Sequence, residues 1–404
     1  METNRAFGIE INDDYCGNCH ICSAICPFEA ISVSEETGKV TLDIEKCRMC
    51  GICVSACPLS AIDLVYYDVD LLTDYVHRQM ERTGLKTLVV TCRGSNPTTD
   101  GIEEALKQEN VESFIPLRLP CVGRVPSEFF LRILALGIEK TVVIQCEEDY
   151  CRFKDGSRIG ANRLMLLRSL IERLGYEPNT LTLTKNAMKA VYDTEKCVGC
   201  GKCVFICPYD AIKWNPIGTP EIDLEACVGC GACAVVCPHQ AIELKGYEYE
   251  PIAHLIQHHS VKARKARFEG VTPIVLVFCC QWAEFSALDS FQTSPFKENA
   301  VIIELPCAKG FDPVHVLDAL YSGFDGVLAV TCLEEECKLE EGQEIAERNV
   351  FALKRVLRQL NLENRFENCT VSPKCPGDFR SKLGFFIQKM SSLTKPKKPT
   401  TGWL

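Results

Sequence analysis

CGNCHICSAICP, residues 16–27, sets the chemistry of this chain. Its spacing, Cys-x2-Cys-x2-Cys-x3-Cys-Pro, recurs as CRMCGICVSACP (47–58), CVGCGKCVFICP (197–208) and CVGCGACAVVCP (227–238). Sixteen of the 27 cysteines fall in these four runs. In this pattern three close thiolates hold one cubane iron–sulfur cluster and the fourth cysteine crosses to a neighbouring cluster. The crossing predicts four ligand sets. The first is Cys16, Cys19, Cys22 and Cys57; the second is Cys47, Cys50, Cys53 and Cys26. The third is Cys197, Cys200, Cys203 and Cys237; the fourth is Cys227, Cys230, Cys233 and Cys207. Disulfide-rich folds are short and secreted, unlike a chain of 404 residues. Zinc ribbons pair two separated Cys-x2-Cys knuckles and need no third close thiolate before Cys-Pro. Four [4Fe-4S] clusters carrying single electrons are the expectation.

The length implies about two to four domains. At 47% hydrophobic residues the chain can bury sizeable cores. A net charge of −10 and a pI near 5.4 argue against nucleic acid as the partner. Residues 1–12, METNRAFGIEIN, lack the apolar segment of a signal peptide. No uninterrupted run of 18 apolar residues is present, so no membrane span is expected. Thiolate clusters need reduced cysteines, which points to the cytoplasm of an anaerobic cell. Neither a Gly-x-Gly-x-x-Gly after a strand nor a phosphate-binding loop announces a flavin or nucleotide site.

The chain also repeats itself. The step from Cys16 to Cys197 equals that from Cys26 to Cys207, and Cys47 to Cys227 repeats it to within one position. The repeat continues outside the runs. One identical step separates Cys121 from Cys307, Cys146 from Cys332 and Cys151 from Cys337, and nearly the same step separates Cys92 from Cys280. Self-similarity at a fixed period marks duplicated units. Short strands are expected at FGIEI (7–11) and VTLDI (40–44), before each of the first two runs. Six apolar runs ending in cysteine read as buried parallel strands: KTLVVTC (86–92), VESFIPLRLPC (111–121), KTVVIQC (140–146), IVLVFCC (274–280), VIIELPC (301–307) and GVLAVTC (326–332). GIEEALKQE (101–109), PSEFFLRILALG (126–137) and GANRLMLLRSLIERLG (160–175) have helical period. The fold class expected is α+β ferredoxin-like cluster domains plus α/β parallel-sheet domains, the pair duplicated in tandem. The boundaries are a dicluster domain at 1–70, an α/β domain at 71–185, a second dicluster domain at 186–250 and a second α/β domain at 251–380. A basic tail at 381–404, rich in lysine, is expected to be flexible or to wrap a partner.

Each α/β domain carries a cysteine quartet: Cys92, Cys121, Cys146 and Cys151, then Cys280, Cys307, Cys332 and Cys337. One cysteine alone is usually a small core residue. Four at repeated spacing, past the carboxyl ends of parallel strands, fall where open α/β sheets place ligands. Four thiolates can hold a [2Fe-2S] cluster, a [4Fe-4S] cluster or zinc, and spacing does not separate these. Two [2Fe-2S] clusters are the expectation.

The α/β units resemble the iron–sulfur (delta) subunit family of methyl-viologen-reducing hydrogenase. The resemblance rests on Cys280-Gln281-Trp282-Ala283, on Leu305-Pro306-Cys307-Ala308-Lys309-Gly310 and on Cys332-Leu333-Glu334-Glu335-Glu336-Cys337. In the first copy it rests on Cys92-Arg93-Gly94-Ser95, Cys121-Val122-Gly123-Arg124 and Cys146-Glu147-Glu148-Asp149-Tyr150-Cys151. FDGVLAVTC (324–332) is close to the family's usual strand. Both copies depart from the family where Ser95 or Ala283 replaces a second cysteine and where Arg152 or Lys338 replaces a histidine. The resemblance implies a [2Fe-2S] cluster and a place beside a flavoprotein of the heterodisulfide-reductase A type. It also implies a hydrogenase, formate dehydrogenase or similar redox subunit in an anaerobic complex that can bifurcate electrons.

The function expected is a relay between such modules, with no catalytic residue assigned. The alternatives are a catalytic iron–sulfur reductase, or a redox sensor or assembly scaffold. An open iron site needs a quartet reduced to three ligands, and both quartets are complete. Cys279 reads as core, and Cys369 and Cys375 lie outside the duplication. His20 and His239 sit beside ligands but off the ligand spacing. Lys262, Arg264, Lys265 and Arg267 read as a solvated helix face.

Overall fold

The computed structural model describes residues 8–64, 67–95, 106–107, 109–186, 188–244, 246–283, 296–339, 342–375 and 377–394. The expected helix over 101–109 lies largely outside these residues. By its contacts the chain forms two units. One is Met1–Lys189 with Cys227–Gly229 and Pro373–Pro376; the other is Ala190–Ala226 with Cys230–Ser372 and Gly377–Leu404.

In the first unit two antiparallel pairs frame the cysteine runs. Ile9–Ile11 pairs with Ile62–Leu64, and Ile31–Val33 pairs with Val40–Leu42. The short helices Ile21–Ile25 and Ile52–Ala56 open directly after the second cysteine of each run. The second unit repeats the plan. There Ala190–Tyr192 pairs with Ile242–Leu244 and Ile212–Trp214 with Pro220–Ile222, and the helices are Lys202–Ile206 and Ala232–Val236.

Each unit also holds a four-stranded parallel sheet. In spatial order the first is Ile115–Leu119, Thr87–Cys92, Lys140–Cys146 and Leu181–Asn186. The second is Ala300–Leu305, Val275–Cys280, Gly326–Thr331 and Phe366–Thr370. The first strand in sequence lies between the second and third, so strand order reverses beside it. That reversal opens the crevice in which such sheets bind ligands. Cys92 and Cys146, and likewise Cys280 and Cys332, end or follow the two strands that flank it.

The fourth strand of each sheet was not expected from sequence. LTLTKN and FENCT carry polar residues and are only partly buried, as edge strands are, so they lack the continuous apolar run of their neighbours.

The central strands are covered on both faces. Leu88 and Val90 face Leu72, Phe129, Ile133 and Leu164, while Val89 turns to Leu106, Val142 and Ile144. In the second unit Leu276 and Phe278 meet Ile256, Val316 and Leu353 from the flanking helices. Burying each such side chain stabilises by roughly 1.5–3 kcal/mol. Cys279 lies in the opposite face, fully buried, as a core residue.

That face corrects the expected tail. Residues 381–394 belong to the helix Asp378–Thr394, not to a flexible segment. Phe379, Leu383, Phe386, Ile387 and Met390 recur every three to four residues and bury one stripe against Val275, Val277 and Val330. The basic stretch likewise lies in a helix, Tyr249–Phe268, where Arg267 pairs with Asp325 at 2.8 Å.

Phe386→Ala should cost the second unit about 3–5 kcal/mol by leaving a cavity in this core. Chemical denaturation followed by circular dichroism measures it. A loss below about 1 kcal/mol would show that the helix is not part of the fold.

Candidate metal centres

The four cysteine runs impose one backbone shape. A left-handed residue opens each short helix: His20, Gly51, Gly201 and Gly231, with φ of 63, 77, 72 and 83°. Glycine takes this turn in three runs at little cost, and His20 takes it in the first. Two residues earlier Met49 and Gly199, with φ of 55 and 68°, are also left-handed and turn their own N–H groups to sulfur. Met49 donates to Cys47 Sγ at 3.4 Å and Gly199 to Cys197 Sγ at 3.3 Å. Past each proline the chain turns again. Ala30 donates to Cys26 Sγ at 3.4 Å, Ala61 to Cys57 Sγ at 3.3 Å and Ala241 to Cys237 Sγ at 3.2 Å. Such donors favour thiolate over thiol.

Cys57 lies with Cys16, Cys19 and Cys22 around one small cavity, and not with its sequence neighbours. His20 also lines it. Cys237 lies in the same way with Cys197, Cys200 and Cys203, beside His239. Cys26 is within electrostatic reach of Cys50 and Cys53, as is Cys47. Burial pushes the Cys50 thiol up to about 12 and that of Cys53 well above its ordinary value. A buried set of this kind loses its protons when a cation compensates the charge. Cys227, Cys230 and Cys233 are buried and Cys207 is half-buried.

The sheet-edge quartets close into rings. Cys92 touches Cys121 and Cys146, and Cys151 touches the same two. Cys280, Cys307, Cys332 and Cys337 repeat these contacts pair for pair. Three members of each ring are buried and the last is half-buried. Cys151 is held down at about 3 by hydrogen bonds from Cys121 and Cys146, with backbone N–H groups of Phe153 and Ser157 adding to them. Cys337 is held at about 2 by Cys307 and Cys332, together with the backbone of Leu339 and Gly342. The same contacts push Cys121, Cys146, Cys307 and Cys332 upward. Val122 donates its N–H to Cys92 Sγ at 3.2 Å. Among the described residues no three His, Cys, Asp or Glu side chains close to the spacing of a single metal ion. Four thiols in mutual contact are a donor set suited to iron–sulfur ligation.

Two glycines that sequence reasoning passed over shape the rings. Gly156 and Gly342 are separated by the same step as Cys121 and Cys307, and they open the helices Gly156–Arg173 and Gly342–Gln359. A Cβ on Gly156 would lie 2.9 Å from Cys121 Sγ and 3.4 Å from Cys151 Sγ. One on Gly342 would lie 2.8 Å from Cys307 Sγ and 3.0 Å from Cys337 Sγ. The positive helix end thus stands against the sulfurs, and Ser157 donates to Cys151 Sγ at 3.3 Å. The repeat step, applied to glycines as well as cysteines, would have found this pair.

Ser95 and Ala283, at the places of the family's further cysteine, are fully buried. The Ser95 hydroxyl is hydrogen-bonded to the carbonyls of Cys92 at 2.8 Å and Ile144 at 3.1 Å. Cys369 is mostly buried in its strand, its thiol pushed up to about 12 by burial, and Cys375 is exposed.

Comparison with known proteins agrees with this chemistry. The family described as methyl-viologen-reducing hydrogenase, delta subunit, matches residues 89–198 and 275–394. Two 4Fe-4S dicluster domain families match 15–61 and 190–244. The chain is 32% identical over 215 residues to the A-type polypeptide of the ferredoxin:CoB-CoM heterodisulfide reductase of Methanosarcina mazei, covering 52% of this chain and 26% of that protein. It is 34% identical over 92 residues to the D-type iron-sulfur polypeptide of the F420-non-reducing hydrogenase vhu of Methanocaldococcus jannaschii, covering 22% of this chain and 69% of that one. The counterpart from Methanococcus maripaludis is 30% identical over 124 residues, covering 30% of this chain and 92% of the relative. The match spans about a quarter of the length of the heterodisulfide reductase polypeptides, 26% in each.

Dicluster segments joined to sheet-edge cysteine rings define an iron–sulfur electron-transfer protein. This chain belongs to the methyl-viologen-reducing hydrogenase delta-subunit family, whose match covers more than half of it.

Gly342→Ala should lower the iron content of anaerobically purified protein while the cubane signals persist, because the added methyl overlaps two ring sulfurs. Undiminished iron in both Gly342→Ala and Gly156→Ala would remove the rings as metal sites.

Proposed function

We propose that the chain is an electron-conducting subunit. The four crossed cysteine sets hold [4Fe-4S] clusters and the two sheet-edge rings hold [2Fe-2S] clusters. Bound clusters would supply one-electron oxidation and reduction. The working modules are residues 1–70, 71–185, 186–250 and 251–380. In the anaerobic cytoplasm they connect a flavoprotein of the heterodisulfide-reductase A type to a hydrogenase, formate dehydrogenase or similar redox enzyme. The chain itself conducts and does not bifurcate, since its sequence carries no flavin fingerprint.

The observation that carries this reading is a gradient of exposure. Cys19 and Cys200 are exposed, whereas Cys47, Cys50, Cys53 and three members of each ring are buried. Buried sulfurs exclude water from a charge in transit, and exposed ones bring another protein's cofactor within reach. Beside Cys200, Val198, Phe205 and Trp214 are exposed apolar surface suited to a docked protein. The backbone donors to Cys57 and Cys237 hold the crossing ligands in place.

Anaerobic protein should contain about 20 irons, sixteen in cubane sites and four in two-iron sites. Iron near 16 with no [2Fe-2S] component in Mössbauer spectra would remove the rings from the relay. Cys57→Ser should damage the centre shared with Cys16, Cys19 and Cys22 and spare that of Cys47, Cys50 and Cys53. Damage confined to the latter would refute the crossing. A purified single chain that turned over hydrogen, formate or a disulfide unaided would overturn conduction in favour of catalysis.

A further inference from the structure

The two halves differ in charge beside one ring ligand. In the first, Arg124 follows the ring ligand Cys121 and is 3% exposed. Its guanidinium carbon lies 4.5 Å from the centre of the Tyr67 ring. It crosses Gly51 so closely that a Cβ there would stand 2.9 Å from Arg124 Cβ and Nε. Its charge favours the thiolate of Cys50. The step that takes Cys47 to Cys227 takes Cys50 to Cys230, Gly51 to Gly231 and Tyr67 to Tyr247. The step that takes Cys121 to Cys307 takes Arg124 to Gly310.

Gly310 has no side chain to place there. A cavity of about 390 Å³ stands instead, lined by Cys230, Gly231, Leu244, Tyr247 and Gly310 among others. It is not one of the cluster sites: it meets Cys230 and Cys237, which belong to different ligand sets. Its charged walls include Glu243, Glu248 and Asp312. Tyr249 and His315 form a stacked pair in its wall, with centroids 4.6 Å apart and planes at 20°. Acidic groups with aromatic faces select a flat, weakly hydrated cation over a compact ammonium.

We infer that this cavity binds a planar cation of the guanidinium class, which takes in the second half the place that Arg124 holds in the first. Bound there, the positive charge lies beside Cys230 as Arg124 lies beside Cys50. It stabilises added negative charge and raises the reduction potential of the centre that includes Cys230. The binding claim stands apart from the relay; only the potential rests on the proposed cluster ligation.

The probes are L-arginine amide, L-lysine amide and the neutral isostere L-citrulline amide, titrated calorimetrically into the full anaerobic chain. Arginine amide is expected to bind one site. Lysine and citrulline amides should bind at least tenfold more weakly, as should arginine amide to Gly310→Arg. Glu243→Gln should weaken binding several-fold, which keeps the test alive if Gly310→Arg does not fold. No saturable binding to the wild type, or equal binding of all three amides, overturns the inference. An EPR-monitored redox titration should show one centre shifting upward with arginine amide. Binding without that shift would leave the site standing and refute the ligand assignment of Cys230. A partner's arginine as the natural occupant predicts that arginine amide releases a protein from the native complex. A free metabolite predicts an intact complex and a guanidinium compound in the mass spectrum of the purified protein.

Discussion

Convergence of cysteine sulfurs is the constraint on which the rest of the structure depends. Several buried thiols in contact oppose ionisation, because burial and neighbouring sulfurs both penalise negative charge. Cys50 and Cys53 feel this through burial, and Cys121 and Cys307 through their ring neighbours. Each set therefore needs compensating positive charge: backbone N–H groups, helix N-termini and, when bound, iron. The left-handed turns at His20, Gly51, Gly201 and Gly231 and the glycine-headed helices at Gly156 and Gly342 serve that need.

The parallel sheets answer the same demand differently from the cysteine runs. In the runs, local spacing keeps three sulfurs close, and Cys57 and Cys237 stand beside the three of the neighbouring run. In the sheets, the sulfurs come from the ends of three strands and from the loop before a long helix, and only the last two of each ring, Cys146 and Cys151 or Cys332 and Cys337, are close in sequence. They meet because the strand order reverses beside the first strand, where a crevice forms at the carboxyl edge. One arrangement is encoded by neighbours in sequence and the other by topology.

The likeness of the two units makes each a reference for the other. Ring contacts, glycine-headed helices and strand order coincide between them. Arg124 and Gly310 do not, and a buried guanidinium in one half gives way to an open acidic cavity in the other. A repeat that keeps its ligands while altering the charge beside them can carry electrons at two different potentials.

Much of this was legible beforehand. The four Cys-Pro runs announce clusters because the spacing is local, and the recurring step between matched cysteines pointed to the two delta-subunit-like segments without any structure. Six of the eight sheet strands were visible: the four central ones are buried on both faces and continuously apolar, and the edge strands Ile115–Leu119 and Ala300–Leu305 are apolar enough to be read with them. The edge strands Leu181–Asn186 and Phe366–Thr370 were not, because half-solvated strands tolerate threonine, lysine or asparagine. The helix Asp378–Thr394 was hidden by its lysines, although its apolar stripe was present in the sequence. Sequence determined the candidate ligands of the runs, since three of each set lie within one short stretch. Tertiary structure alone decided that the sheet cysteines form rings, that Gly156 and Gly342 stand against them, and that Arg124 fills a space left open at Gly310. These depend on approach in space between segments far apart in the chain, which no local spacing encodes.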